Sequence, residues 1–241
     1  MMHTRFLRLH LQPGTLRELT AIYEDRILPA LAGTDGCLGA ALLVHSRKPE
    51  DVVSLTMWRD RAAADAYDGE GRFARLLNLA EHLLADSAAA PTDGFPEEDL
   101  ALEGYDAELV ASPNLRAALA PDGFARTVSA HVSPELSDAF DVRYRAEVKT
   151  ALVDFPGLRA VLLLHRVDAP SVTVGLSFWD GEESAARYEL SGRFEELAKG
   201  LSDTLSPLYR WRRSLSPSSP DAATPGSFAV DGYLVKLARV F

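Results

Sequence analysis

Along this chain the spacing of apolar residues switches between strand and helix periods in one fixed order, and it does so twice. Arg5–Leu11 reads as a short strand, in which Arg8 alternates with Phe6 and His10 toward one sheet face. Pro13-Gly14 turns the chain, and Thr15-x-x-Glu18 has the form of a capping box. The helix it predicts carries Leu16, Leu19, Ile22, Tyr23, Ile27 and Leu28 at helical spacing and ends at Pro29 and Gly33. Leu38–His45 and Val52–Trp58 then form a predicted hairpin, followed by a helix from about Asp60 to Leu84 and a strand over Leu102–Ala111.

The second pass has the same order. Arg126–Val132 is a strand, and Ser133-Pro134 is an N-cap followed by a proline where no backbone N–H is needed. A helix bearing Phe140, Tyr144, Val148 and Leu152 runs to Pro156-Gly157. Leu158–His165 and Val172–Trp179 form the hairpin, Asp180-x-x-Glu183 opens a helix to about Leu205, and Phe228–Val240 is the last strand. Between them Ser216–Ser227, rich in Pro, Ser and Ala, reads as a flexible connection.

The two passes are copies. Over Leu55–Leu76 against Leu176–Leu197, at an offset of 121, eight of 22 positions are identical, among them Trp58/Trp179, Tyr67/Tyr188 and the Gly-Arg-Phe triplets. His10/His131, Tyr23/Tyr144 and Leu31/Leu152 keep that offset. A repeat of this length means two similar units, predicted here as residues 1–112 and 113–241.

Each unit reads β-α-β-β-α-β, the ferredoxin-like order. Leu42-Leu43-Val44 and Val161–Leu164 are apolar runs, not alternations, which implies burial on both faces of those strands. The fold class that satisfies this is α+β: two tandem ferredoxin-like units packed sheet to sheet as a pseudo-dimeric α+β barrel.

Composition narrows the function. A formal charge of −10 argues against a nucleic-acid footprint, and the one basic cluster, Arg210-Trp211-Arg212-Arg213, is read as a solvated helix end. One cysteine, Cys37, rules out an intrachain disulfide or a cysteine-built metal cage and is read as a small buried residue. The six histidines (His3, His10, His45, His82, His131 and His165) lack zinc-site spacing, so no metal is expected. No apolar stretch is long enough for a bilayer, and the N-terminus has no signal-peptide run; the expected compartment is the cytoplasm, with no membrane partner.

The tandem pattern, carried by Pro29 with Gly36, Trp58, Tyr67 and Phe73 and by Pro156-Gly157, Trp179, Tyr188 and Phe194, resembles the dimeric α/β-barrel superfamily and within it the antibiotic biosynthesis monooxygenase-like group. The resemblance implies a pocket for a hydrophobic or aromatic small molecule in each unit. It leaves two activities open: a cofactor-independent oxygenase of polycyclic aromatic molecules, or a non-catalytic small-molecule-binding or stress-associated barrel. Haem-degrading relatives carry a ligand histidine about ten residues beyond the helix aromatic. Here those positions are Leu77 and Ala198, so haem of that type is not expected, nor is any other cofactor. With both units in one chain, a monomer or a homodimer is expected.

His10 and His131 are the candidate general bases, since an imidazole titrates near neutral pH. The candidate substrate-binding residues are Trp58, Tyr67, Arg72 and Tyr23 in the first unit and Trp179, Tyr188, Arg193 and Tyr144 in the second. Each has a plainer reading: core packing for the tryptophans, buried hydrogen bonds for the tyrosines, capping or surface ion pairs for the arginines. His45 and His165 are read as a second repeat-related pair. The two units are expected to be inequivalent, without an indication of which one works.

Overall fold

The computed structural model describes residues 1–85, 100–111, 115–207 and 228–241. The predicted linker over 216–227 and the basic cluster at 210–213 lie outside these residues. The first unit contains β1 (Met2–His10), α1 (Leu16–Ile22) running through a π turn (Tyr23–Ile27) into α2 (Leu28–Ala32), β2 (Cys37–His45), β3 (Asp51–Trp58), α3 (Arg61–Gly69), α4 (Arg72–Leu77) and β4 (Leu100–Ala111). After a short α5 (Leu115–Ala118), the second contains β5 (Phe124–His131), α6 (Ser137–Ala151), β6 (Leu158–Arg166), β7 (Val172–Trp179), α7 (Glu182–Leu190), α8 (Arg193–Leu201) and β8 (Ala229–Val240).

Hydrogen-bonded neighbours follow the order β1-β3-β2-β8-β5-β7-β6-β4, and the order closes into a barrel. The α+β fold of two βαββαβ halves is therefore as the repeat implies. Registers repeat too: His3 pairs with Trp58 and Phe124 with Trp179, while His10 faces Asp51 and His131 faces Val172. The chain divides into two compact units, each drawn from separate stretches of the sequence. Met1–Asp106, Leu119–Asp122 and Tyr233–Phe241 form one, and Ala107–Ala118 with Gly123–Gly232 the other. The reason is the edge of β2, which takes β8 as its antiparallel partner from Gly39↔Val240 to His45↔Tyr233.

Three local departures from the sequence pattern have physical causes. Thr15 and Glu18 form no capping box. The Thr15 hydroxyl donates to the Gln12 carbonyl (2.7 Å), and Glu18 meets His82 Nε2 at 3.0 Å. The helix expected over 60–84 is broken between α3 and α4 because Gly71 stands at φ 67, and Gly192 breaks the second helix in the same way at φ 79. Pro29 has no N–H to give the preceding turn and its ring crowds it, which explains why the first helix widens into a π turn just before it. Thr150 occupies that place in the second unit, and α6 is α-helical throughout.

Each unit has its own apolar core between its strands and helices. Leu7, Leu9, Leu19, Leu31, Leu42 and Trp58 belong to the first, and Ala130, Phe140, Val148, Leu152, Leu163 and Trp179 to the second. The apolar runs are buried as expected: Leu42 to Val44 and Val161 to Leu164 are all at most 5% exposed.

His3, on β1, is buried with its Nδ1 3.5 Å from Asp106 Oδ1 and without a hydrogen bond. Burial holds its pKa below the ordinary 6.5, against the pull of Asp106. On acidification the unfolded chain therefore takes up this proton first, so stability is full above the unfolded value of 6.5 and is lost as pH falls below it. The midpoint of thermal unfolding is expected to drop below that pH, and His3→Gln is expected to flatten this part of the profile; an unchanged slope would remove His3 as its source.

Candidate active site

Two cavities occupy matching places, one per unit. The first, about 50 Å³, is bounded by Arg5, Leu7 and Leu9 of β1, Tyr23 and Ile27 of the π turn, Ser54 and Thr56 of β3, and Tyr67, Phe73 and Leu76 beyond. The second, about 40 Å³, is bounded by the residues 121 positions later: Arg126, Val128, Ala130, Tyr144, Val148, Gly175, Ser177, Tyr188, Phe194 and Leu197. Strand parity explains the lining. Successive side chains on β1 point to opposite faces, so the odd-numbered Arg5, Leu7 and Leu9 face the helices while Arg8 and His10 face away. Each volume holds a few waters and is well short of the ~150 Å³ that accommodates benzene, so an aromatic ligand enters only as the lining side chains move apart.

Neither expected base is at a cavity. His10 stands at the end of β1 and meets Asp51 Oδ1 across the strands at 2.6 Å, with both side chains 38% exposed. His131 ends β5 and is exposed. The supposed His45/His165 pair is not repeat-related, because their separation is 120. His165 takes the register place of Val44, so the two rings point to opposite faces: His45 lies edge-on to Tyr233, and His165 Nε2 is 3.2 Å from Asp141 Oδ2.

All four candidate tyrosines do line the cavities. Burial pushes the hydroxyls of Tyr67 and Tyr188 up to about 12, and raises those of Tyr23 and Tyr144 as well. At neutral pH they are hydrogen-bond donors, not bases. The tryptophans stand one layer behind. Trp58 and Trp179 are fully buried, each indole N–H donating to a hydroxyl two residues earlier (Thr56 and Ser177, both 2.9 Å), with rings 5.0 and 5.4 Å from Tyr67 and Tyr188. Arg72 and Arg193 lie outside the cavities. Arg72 Nε is 2.6 Å from Glu70, and Arg193 donates to the Ala151 carbonyl (3.3 Å) and covers Phe155. Cys37 is buried, its thiol pushed up to about 12 by that burial, and so is no nucleophile.

The sequence reading missed the cationic residues that do face the cavities, Arg5 and Arg126. Both are buried, on the first strand of their unit and 121 positions apart, and that shared offset was the available signal. Arg5 donates to Asp68 (2.7 Å) and Asp65 (3.2 Å). Arg126 has Nε 2.7 Å from Glu189 Oε1, but the N–H is not directed at that oxygen and makes no hydrogen bond. Its guanidinium lies over the Phe194 ring at 4.2 Å. Burial lowers its pKa below the ordinary arginine value, against the pull of Glu189, and it remains a cation at neutral pH.

An apolar slot with one buried guanidinium and two tyrosine hydroxyls can hold an aromatic oxyanion. Residues 2–78 match the family model for antibiotic biosynthesis monooxygenase. The match covers less than half of the chain and lies within the first unit. The whole chain shares its fold with solved structures. It is similar to a candidate monooxygenase of Fusobacterium nucleatum (TM-score 0.70, 11% identity, 99% of this chain and 94% of that one). It is also similar to a candidate monooxygenase of Lactobacillus acidophilus (0.65, 10%, 100% and 99%) and to an anthrone oxidase-like protein (0.62, 13%, 99% and 92%). At these identities the likeness concerns the fold alone. No curated protein matches the sequence. Among the described residues no helix is long and apolar enough to cross a membrane, and no three His, Cys, Asp or Glu side chains converge as a metal site.

Proposed function

We propose that the chain oxygenates small aromatic molecules bearing an ionisable hydroxyl, without metal or flavin, in a cavity of the Arg–Tyr–Tyr type. The observation that carries this reading is a buried guanidinium that lines an apolar slot together with two tyrosines. The monooxygenase-like fold and the name of the anthrone oxidase-like neighbour agree with it. The guanidinium holds the phenolate or enolate oxygen and lowers the free energy of the anion. The tyrosines donate to oxygen atoms of the ligand, and the leucine, valine and phenylalanine walls exclude water. The substrate supplies all the electrons: a ring CH₂ and one O₂ become a ring C=O and one H₂O. The proton of the acidic hydroxyl leaves to solvent, so His10 and His131 have no part.

A second reading, binding without turnover, is favoured by one observation: among the described residues no carboxylate or imidazole lines either cavity. The two are separated by aerobic incubation with a panel of reduced polycyclic phenols under ¹⁸O₂, against heat-denatured protein to subtract autoxidation. Oxygenation predicts a product that has gained one labelled oxygen and lost two hydrogens. A ligand-dependent rise in unfolding temperature without labelled product would leave only the binding protein.

A further inference from the structure

The two cavities share a plan and differ in whether their polar groups are already satisfied. In the first, Arg5 is held by both Asp65 and Asp68, and the Tyr23 hydroxyl donates to the Ala41 carbonyl (3.1 Å) with Ser54 Oγ at 3.1 Å. In the second, two of these partners are gone: Asp65 is replaced by Ala186 and Ser54 by Gly175. What remains is Glu189, half-exposed and off the axis of the Arg126 N–H. Two atoms of the lining, Arg126 Nε and the Tyr188 hydroxyl, are buried without a hydrogen-bond partner, whereas no atom of the first cavity's lining is in that condition. Tyr144 fills the space above Gly175, its oxygen 2.5 Å from where a Cβ would stand, so a serine like Ser54 has no room there.

A buried donor left unpaired costs free energy, and most native structures avoid it. Here the lining of one apolar slot carries the Tyr188 hydroxyl without a partner and the Arg126 cation with a single, poorly aligned counter-charge, Glu189, both on side chains at most 4% exposed. We infer that the second unit alone is the ligand site, that its ligand is a flat aromatic molecule presenting one oxyanion to Arg126 with Tyr188 as a second donor, and that the first cavity is a structural counterpart. This rests on the proposed reading that the chain binds aromatic molecules with an ionisable hydroxyl. It also assigns the site to the half that the family model does not reach, since the match ends at residue 78.

The test uses the full chain and 4-nitrophenol, whose anion is coloured and whose ring offers no CH₂ to oxygenate, with 4-nitroanisole as its neutral counterpart. At a pH where free 4-nitrophenol is mostly neutral, the bound probe is expected to show the anion spectrum and to bind at least about tenfold more tightly than 4-nitroanisole, the scale of one hydrogen bond to a charged group. Arg126→Met is expected to abolish the anion spectrum, and Arg5→Met to leave it intact. Tyr188→Phe guards against misfolding: its hydroxyl has no partner to lose, so the unfolding midpoint is expected to hold or rise while affinity falls about tenfold. Loss of the anion spectrum in Arg5→Met and not in Arg126→Met would overturn the inference. So would equal binding of the two probes, or a lowered midpoint in Tyr188→Phe. The proposed function fails separately: the spectral shift without labelled product leaves the oxyanion site standing without turnover. Labelled product that persists in a folded Arg126→Met sinks this inference and leaves oxygenation in place.

Discussion

Trp179→Ala is expected to lower the stability of the chain by about 3–5 kcal/mol, the range for removing a large buried aromatic. Trp179 has no exposed surface, meets the tilted ring of Tyr188 (5.4 Å) and the edge-on ring of Phe155 (6.0 Å), and donates its indole N–H to Ser177 Oγ. Its loss removes dispersion contacts on two sides, and the layer is too closely packed to collapse fully into the gap. For a chain of this length the melting temperature is expected to fall by roughly 10 °C, read by circular dichroism. Trp179→Phe separates the two contributions. It keeps most of the packing and leaves the Ser177 hydroxyl without its donor, so about 1–2 kcal/mol is expected. Trp58→Ala should cost a similar amount, since it repeats the geometry with Tyr67 and Thr56. A loss under about 1 kcal/mol at either position would mean that these indoles do not hold their unit's core. The damage extends to the site, because Trp179 is the wall against which Tyr188 is held.

The halves were legible because the repeat is dense where packing is most demanding. Trp58/Trp179, Tyr67/Tyr188 and Gly71/Gly192 each perform the same structural task twice, and chance does not preserve such positions together. The apolar runs at Leu42–Val44 and Val161–Leu164 announced strands covered on both faces. The site was half legible. Tyrosines on the cavity side of the helices were found because helical spacing placed them among leucines. His10 and His131 were chosen for their reference pKa, a property of the residue type, while the strand's two-residue period places them on the face away from the cavity. Arg5 and Arg126 obeyed the same repeat and were passed over because arginine is normally a surface residue. Their burial depends on carboxylates some 60 residues away, Asp68 and Glu189, and on the ring of Phe194, contacts that only the folded chain brings together.

Gly36→Ala is the second large effect expected, at about 2–4 kcal/mol, from two causes that add. Gly36 sits at φ 77, a left-handed conformation that costs an L-residue about 1–2 kcal/mol. A Cβ there would also lie 2.5 Å from the Cβ of Ala63, in the first turns of α3, and neither methyl can rotate away. The Gly36 carbonyl accepts from the Arg59 N–H (2.7 Å), so the turn into β2 and the entry to α3 are held at one point and must shift together. The double variant Gly36→Ala/Ala63→Gly removes the clash and keeps the backbone strain, and is expected to recover about half of the loss relative to Ala63→Gly alone. Gly157 repeats the arrangement at φ 90, its carbonyl accepting from Asp180 N at 2.8 Å, but the obstructing neighbour is Ser184. Denaturant unfolding of Gly36→Ala, Gly157→Ala and the double variant checks this. If the double variant fails to recover stability, crowding against α3 is not the cause and the left-handed backbone carries the whole cost. Either outcome bears on the first cavity, since α3 also presents Tyr67 to its wall and carries Asp65 and Asp68 to Arg5.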